Sequence, residues 1–289
     1  MTFGTFIQPH EQDRDAEDLA ERLQIQIYSG YKARNDIEDW MGRNRVFDAI
    51  ARKVRKLKLA YEDQCSAKYY FDVVRTLRDL NGEFDRVVEV GVFMGGSTSF
   101  LTGCIEPFDF DLDLVDVSAN YLRFAYERVR RMYPEAARRI RLFHGDLPSY
   151  VRTVMLGETG RKSIIHHDGA HDFEQVVKDM ASLYYVREQL LAIIAQDTHL
   201  RGTIKHMNFV DMALYAVFGT DLTYAPIGAA YAEQDARTEP NRFQGNYFMP
   251  GVPEGVVIPM AANRFHYPHP ALSIDDFLPA LAGEAAAAA

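Results

Sequence analysis

From residue 84 onward, short apolar runs alternate with stretches of helical spacing. "RVVEVGV" (86–92), "DLDLVDV" (111–117), "IRLFHGD" (140–146), "KSIIHHDG" (162–169) and "LLAIIAQD" (190–197) have the length and continuous apolar character of buried strands. Between them, "GGSTSFLTGCI", "ANYLRFAYERVRRMY", "LPSYVRTVML" and "FEQVVKDMASLYYVREQ" carry apolar residues three and four apart, as helices with one buried face do. Strand and helix in strict alternation predict an α/β fold: a doubly wound, mostly parallel Rossmann-like sheet covered on both faces and joined by right-handed crossovers.

Both flanks depart from this rhythm. Upstream, "RVFDAIARKVRKLKLAYEDQ" places Val46, Ile50, Val54 and Leu57 on one stripe, so residues 1–80 read as a helical N-terminal extension packed on the main domain, a lid or a dimer arm. The main domain is expected over residues 81–280. Downstream of residue 220, "DLTYAPIGAAYA" and "NRFQGNYFMPG" are rich in Tyr, Phe, Gly and Pro, which fits an antiparallel edge hairpin with a long insertion. Residues 281–289, "LAGEAAAAA", form a low-complexity tail with no assigned role.

Composition narrows the function. A chain of 289 residues with 47% apolar content can bury a large core, and its net charge of -9 argues against nucleic acid, whose phosphates call for clustered Lys and Arg. A small-molecule ligand, neutral or cationic, fits better. Cys65 and Cys104 are too few for a disulfide framework, and neither a signal peptide nor an apolar run of membrane-spanning length is visible. A soluble cytoplasmic protein, possible as a homodimer through its charged N-terminal helices, is the expectation.

The chemistry begins at "VVEVGVFMGGSTSFL" (87–101), where a strand runs into glycines and then hydroxyls. In an open parallel sheet, ligands bind outside the carboxyl ends of the strands. Gly91 ends the strand, and Gly95 and Gly96 open the next helix, so a ligand can approach bare main chain and a helix N-terminus. The dinucleotide fingerprint G-x-G-x-x-G is broken by Phe93, which weighs against a nicotinamide-dependent oxidoreductase. Asp116 follows Gly91 by 25 positions at the tip of the second strand, where a carboxylate can accept two ribose hydroxyls or cap a helix, a job open to Ser118. Asp146 ends the third strand and can equally be a helix cap.

Two further clusters end the fourth and fifth strands: His166, His167, Asp168 and His171, then Gln196, Asp197 and His199. Both should emerge on the rim that carries the glycine turn. Histidine density suggests zinc, but no i, i+4 pair with a clear third ligand is present. The loop "LRGTIKHMNFV", with Lys205 and His206, is placed to close over a substrate, and Tyr224, Tyr231, Phe243, Tyr247 and Phe248 are candidates for its pocket wall.

Glu89, Gly91, Gly95 and Ser97 spell E-x-G-x-x-x-G-x-S, which resembles the first motif of class I S-adenosylmethionine-dependent methyltransferases in the variant of the metal-dependent O-methyltransferases. The resemblance implies that the turn lies along the methionine and ribose of S-adenosylmethionine, with Asp116 at the ribose and Asp146 beside the adenine. Asp168 to His171 spell D-G-x-H, which resembles a branch that includes macrolide-sugar O-methyltransferases and cephalosporin-hydroxylase-like proteins. That resemblance implies a magnesium site formed by Asp168, Gln196 and Asp197, with Asp168 also at the cofactor and His171 as general base. The branch has an acid where this chain has Gln196, which removes one negative charge from the site. The reaction implied is methylation of a hydroxyl on a small metabolite, a sugar or a phenol. A cofactor-binding accessory protein with a decayed metal site is the alternative.

Overall fold

The computed structural model describes residues 2–27, 37–62, 65–202, 208–230 and 247–279. The strands are β1 (Thr5–Ile7), β2 (Arg86–Val90), β3 (Asp111–Asp116), β4 (Ile140–His144), β5 (Ser163–His167), β6 (Leu190–Gln196), β7 (Leu200–Arg201), β8 (Ala225–Ala230), β9 (Tyr247–Phe248) and β10 (Pro253–Pro259). The helices are α1 (Leu19–Arg22), α2 (Ile37–Trp40), α3 (Arg45–Lys56), α4 (Ala67–Asp79), α5 (Gly96–Phe108), α6 (Ala119–Met132), α7 (Leu147–Tyr150), α8 (Phe173–Ser182) and α9 (Val210–Phe218).

Eight strands make one sheet in the order β1-β4-β3-β2-β5-β6-β10-β8. β2 to β6 are mutually parallel, whereas β1, β10 and β8 run antiparallel to their neighbours. The chain winds outward from β2 through β3 to β4, then returns to place β5 and β6 on the other side. The strand order therefore reverses between β2 and β5, and the crevice at their carboxyl ends is the place where such sheets bind ligands. β2 is buried along its whole length, as a strand covered on both faces must be, and this includes Arg86 and Glu89 beside its three valines.

One face carries α3, α4 and α5. Here the stripe read from sequence is turned by about one position: Phe47, Ile50, Ala51 and Val54 are buried, while Val46 and Leu57 lie at the border. Asn44 caps α3 by accepting from the Val46 and Phe47 N–H groups at 2.9 and 3.2 Å. Phe100 of α5 stacks on Tyr70 of α4 with ring centroids 4.2 Å apart, and Phe47 stacks on it too, so the N-terminal helices share a core with β2, β3 and β4. The other face carries α8 and α9 on Val88, Ile165 and Ile193.

Two expectations are modified. β1 is a strand inside the N-terminal region, and three residues are too few to show a period. At the other edge β8 pairs with β10, while the aromatic stretch 241–251 supplies β9, which pairs with β7 in a separate two-stranded sheet. Among the described residues no helix is long and apolar enough to cross a membrane.

Candidate active site

A cavity of about 580 Å3 opens at the switch point, walled by the ends of β2, β3, β4, β5 and β6. Its floor is the glycine turn. Gly91 has φ +79°, and a Cβ there would lie 2.2 Å from the Asp168 carbonyl oxygen, so the β2 and β5 ends approach too closely for any side chain. Gly95, with φ +78°, starts α5 and lies against Ala125 of α6 instead of in the wall, where Gly96 and Ser97 stand. Phe93 also takes positive φ, +42°, and its ring meets Tyr121 edge-on at 5.1 Å. A bulky residue held in this region is strained, and such strain gathers at ligand-binding turns.

Glu89 comes from β2 and is wholly buried, yet it faces the cavity and neither carboxylate oxygen has a hydrogen-bond partner. Burial, opposed by the nearby Thr98 hydroxyl, whose geometry falls short of a hydrogen bond, and aided by the Asp116 charge, pushes its carboxyl up to about 8. A buried acceptor without a donor costs free energy, which a ligand's N–H group would recover.

Asp116 ends β3 and braces the turn: Oδ2 accepts from the N–H groups of Val92 at 2.9 Å and Phe93 at 3.4 Å, and Oδ1 from Ser118 at 2.7 Å. The cap of α6 falls to Ser118, whose side chain accepts from the Tyr121 N–H. Burial raises the Asp116 carboxyl while these three donors oppose it. Asp146 caps α7 by accepting from Ser149 N–H at 2.9 Å and stands in the cavity wall, its carboxyl raised by burial.

The ends of β5 and β6 build the opposite corner. The His171 Nε2 donates to Asp197 Oδ2 at 2.9 Å. Burial works against the imidazolium, but the Asp197 charge and hydrogen bond outweigh it, so His171 is raised above and Asp197 lowered below its ordinary value. Ligand atoms of Asp168, His171 and Asp197 all lie within 4.8 Å of one another. Gln196 is buried at 4% exposure with its amide between Asp168 and Cys65. Of the other histidines, His166 and His167 face elsewhere, while His199 lies 3.9 Å from Asp197. His166 bonds Tyr69 Oη at 2.9 Å and is held neutral by burial, pulled down to about 3. His167 bonds Asp179 at 2.8 Å. His199 stacks on Phe248 at 4.4 Å.

Sequence reading missed part of the wall. Glu62, Cys65 and Tyr70 from the N-terminal region line the cavity, as do Gln175 and Asp179 of α8. Spacing gives no sign of the first three, which reach the site through the packing of α4 on α5. Gln175 and Asp179 are i and i+4 on α8, joined by a 2.8 Å hydrogen bond, a signal that was available. Tyr224 is exposed and Phe248 packs on His199, so neither forms the acceptor wall expected of them. Tyr247 lies in β9, and Lys205, His206, Tyr231, Phe243 and the 281–289 tail fall outside the described residues.

No family model matches the chain. Among solved structures it is similar to a Klebsiella pneumoniae protein assigned as an O-methyltransferase (15% identity, 76% of this chain and 91% of that one, TM-score 0.47). It is also similar to a Staphylococcus aureus protein assigned as a caffeoyl-CoA O-methyltransferase (11% identity, 77% and 95%, TM-score 0.48). A third is the S-adenosylmethionine-dependent O-methyltransferase of Thermotoga maritima (10% identity, 76% and 72%, TM-score 0.41). Likeness of this degree concerns the course of the chain and says nothing of its chemistry.

Proposed function

We propose that the chain is an S-adenosylmethionine-dependent methyltransferase that methylates a hydroxyl of a small metabolite, a sugar or a phenol. The observation that carries this reading is one cavity joining two chemically different ends: a bare glycine turn with an unpartnered carboxylate at one, and a His–Asp pair at the other. Its volume, about 580 Å3, is of the size that holds a small-molecule ligand.

The cofactor fits the residues present. The Gly91 cradle admits a chain lying on bare backbone, the orphaned Glu89 oxygens suit an ammonium group, and Asp116 and Asp146 offer acceptors further along the wall. When bound, the cofactor supplies an electrophilic methyl group on sulfur. The protein's work is then to hold the acceptor oxygen in line with that methyl and to take its proton. Because Nε2–H of His171 is turned to Asp197, Nδ1 is the nitrogen that receives the proton, and Asp197 steadies the charge that results. With the cofactor bound, its sulfur would leave with the electron pair as the acceptor oxygen gains the methyl group, and the acceptor's proton would rest on His171 Nδ1 beside Asp197. The implied magnesium ion fits less well, since an amide stands for one acid and each carboxylate already has a donor within the chain.

The test is a calorimetric titration of the purified chain with S-adenosylhomocysteine, with NAD as control. Binding at micromolar affinity, absent with NAD, is expected. Absence of S-adenosylhomocysteine binding would sink the reading, and preference for NAD would return it to the oxidoreductase class.

A further inference from the structure

The amide of Gln196 is wedged between the Asp168 carboxylate and the Cys65 sulfur. With its carbonyl oxygen toward Asp168, oxygens crowd together with no donor between them, an arrangement that an interposed cation or a proton on Asp168 would relieve. With its nitrogen toward Asp168, the amide donates to both Asp168 oxygens. Oε1 then lies 3.1 Å from Cys65 Sγ and accepts from the thiol. The second orientation satisfies every group from within the chain, and buried polar groups are satisfied as a rule.

Resting on the methyltransferase reading, we propose that this corner holds no divalent cation and that the Gln196 amide takes the cation's place, donating to Asp168 where an ion would otherwise bridge it to its neighbours. The facing half of the corner agrees. Asp197 receives Nε2–H of His171 at 2.9 Å and lies 3.9 Å from Nδ1 of His199, so its partners too come from the protein. Cys65 and Gln196 are distant in sequence, and the thiol, which can donate or accept, suits either face of the amide, so the Asp168 carboxylate is what turns the amide nitrogen toward itself. A carboxylate in place of Gln196 would put two anions side by side and restore the need for an ion.

One consequence concerns the acceptor. Without a Lewis acid to lower its pKa, the hydroxyl must yield its proton to imidazole alone, which suits a phenol or enol and disfavours a sugar alcohol.

The experiment titrates Mg2+ and Mn2+ into the full-length wild type and into Gln196→Glu, each with a parallel S-adenosylhomocysteine titration. The wild type is expected to give no saturable metal signal and to bind S-adenosylhomocysteine equally with and without chelator. The Gln196→Glu chain is expected to gain a metal site at least about tenfold tighter than any wild-type signal. Saturable wild-type binding that Asp168→Asn removes would overturn the proposal, as would a Gln196→Glu chain that keeps S-adenosylhomocysteine affinity yet gains no site. Methyl transfer to a sugar hydroxyl that stops in chelator would overturn it too. Loss of S-adenosylhomocysteine binding by the wild type would instead strike the methyltransferase reading, so the two failures are distinguishable.

Discussion

The two ends of the cavity are built from different materials. At the glycine-turn end the contacts are backbone, fixed by Gly91 at φ +79° and by Asp116 holding the Val92 and Phe93 N–H groups. At the His171 end they are side chains from separate parts of the chain: Cys65 before α4, Asp168 and His171 after β5, Gln196 as the last residue of β6 and Asp197 just after it. A backbone-built end tolerates little change, because no neighbouring rotamer can compensate a shifted main chain. The side-chain end can lose one function while keeping its shape.

The sharpest break of this comparison is Gly91→Ala. The new methyl would meet the Asp168 carbonyl at 2.2 Å in a conformation L-residues avoid, so β2 and β5 must separate at the cavity floor. We expect S-adenosylhomocysteine affinity to fall by about 100-fold or more, with a stability loss of about 2 kcal/mol or more. Retained affinity in a calorimetric titration would show that the turn is not the cofactor's seat. His171→Ala is the counterpart at the other end: turnover should fall by about 10²-fold or more while S-adenosylhomocysteine affinity stays within about twofold. Equal loss of both would refute the division of labour.

A smaller effect tests Glu89 through pH. Its carboxyl ordinarily ionises near 4.5 and is pushed up to about 8 in the folded chain. The folded state thus prefers the protonated form, and the stability this gives is complete below about 4.5, then declines as pH rises through about 8. Thermal unfolding measured from pH 5 to 9 should show that decline, of order a few kcal/mol, and Glu89→Gln should flatten it. Saturating S-adenosylhomocysteine, whose ammonium group favours the ionised carboxylate, should reduce the slope in the wild type. An unchanged slope in Glu89→Gln would assign the pH dependence to other groups.

The same contrast decides what could be read from the sequence. Each central strand was legible to within two residues at its carboxyl end, and each reading ran long there: 86–92 against Arg86–Val90, 140–146 against Ile140–His144, 162–169 against Ser163–His167. The overshoot has a physical cause, since these residues, a glycine with a valine or an aspartate in each case, leave the sheet to wall the cavity directly after the last paired position. The backbone-built end was legible because its glycines fall in one short stretch, 91–96, and its acids Asp116 and Asp146 each stand at the end of an apolar run. Glu62, Cys65 and Tyr70 were not, because they meet the site through contacts with Met94, Ser97 and Phe100 respectively, which no periodicity encodes. Nor was the His171–Asp197 pair fixed by spacing, since it depends on β5 and β6 being neighbours.

The smallest expected effect lies at Phe93, the residue that breaks the dinucleotide fingerprint. Its backbone stands at φ +42°, where glycine rests without strain, so Phe93→Gly relieves a conformational cost of about 1–3 kcal/mol. It also removes the edge-on contact with Tyr121 at 5.1 Å, worth about 0.5–1.5 kcal/mol, and adds about 0.5–1 kcal/mol of unfolded-chain freedom. The terms nearly cancel, and Tm should move by only a few degrees in either direction. Binding is the more telling readout. If Phe93 merely occupied a glycine's place in a nucleotide turn, the variant should gain NAD affinity. If instead the ring shapes a wall with Tyr121 for a ligand without phosphates, NAD affinity should stay absent and S-adenosylhomocysteine affinity should weaken by several-fold, because the N–H groups bonded to Asp116 would hold a looser turn. The second pattern would tie the backbone-built end to its ligand through the one residue there that glycine could replace.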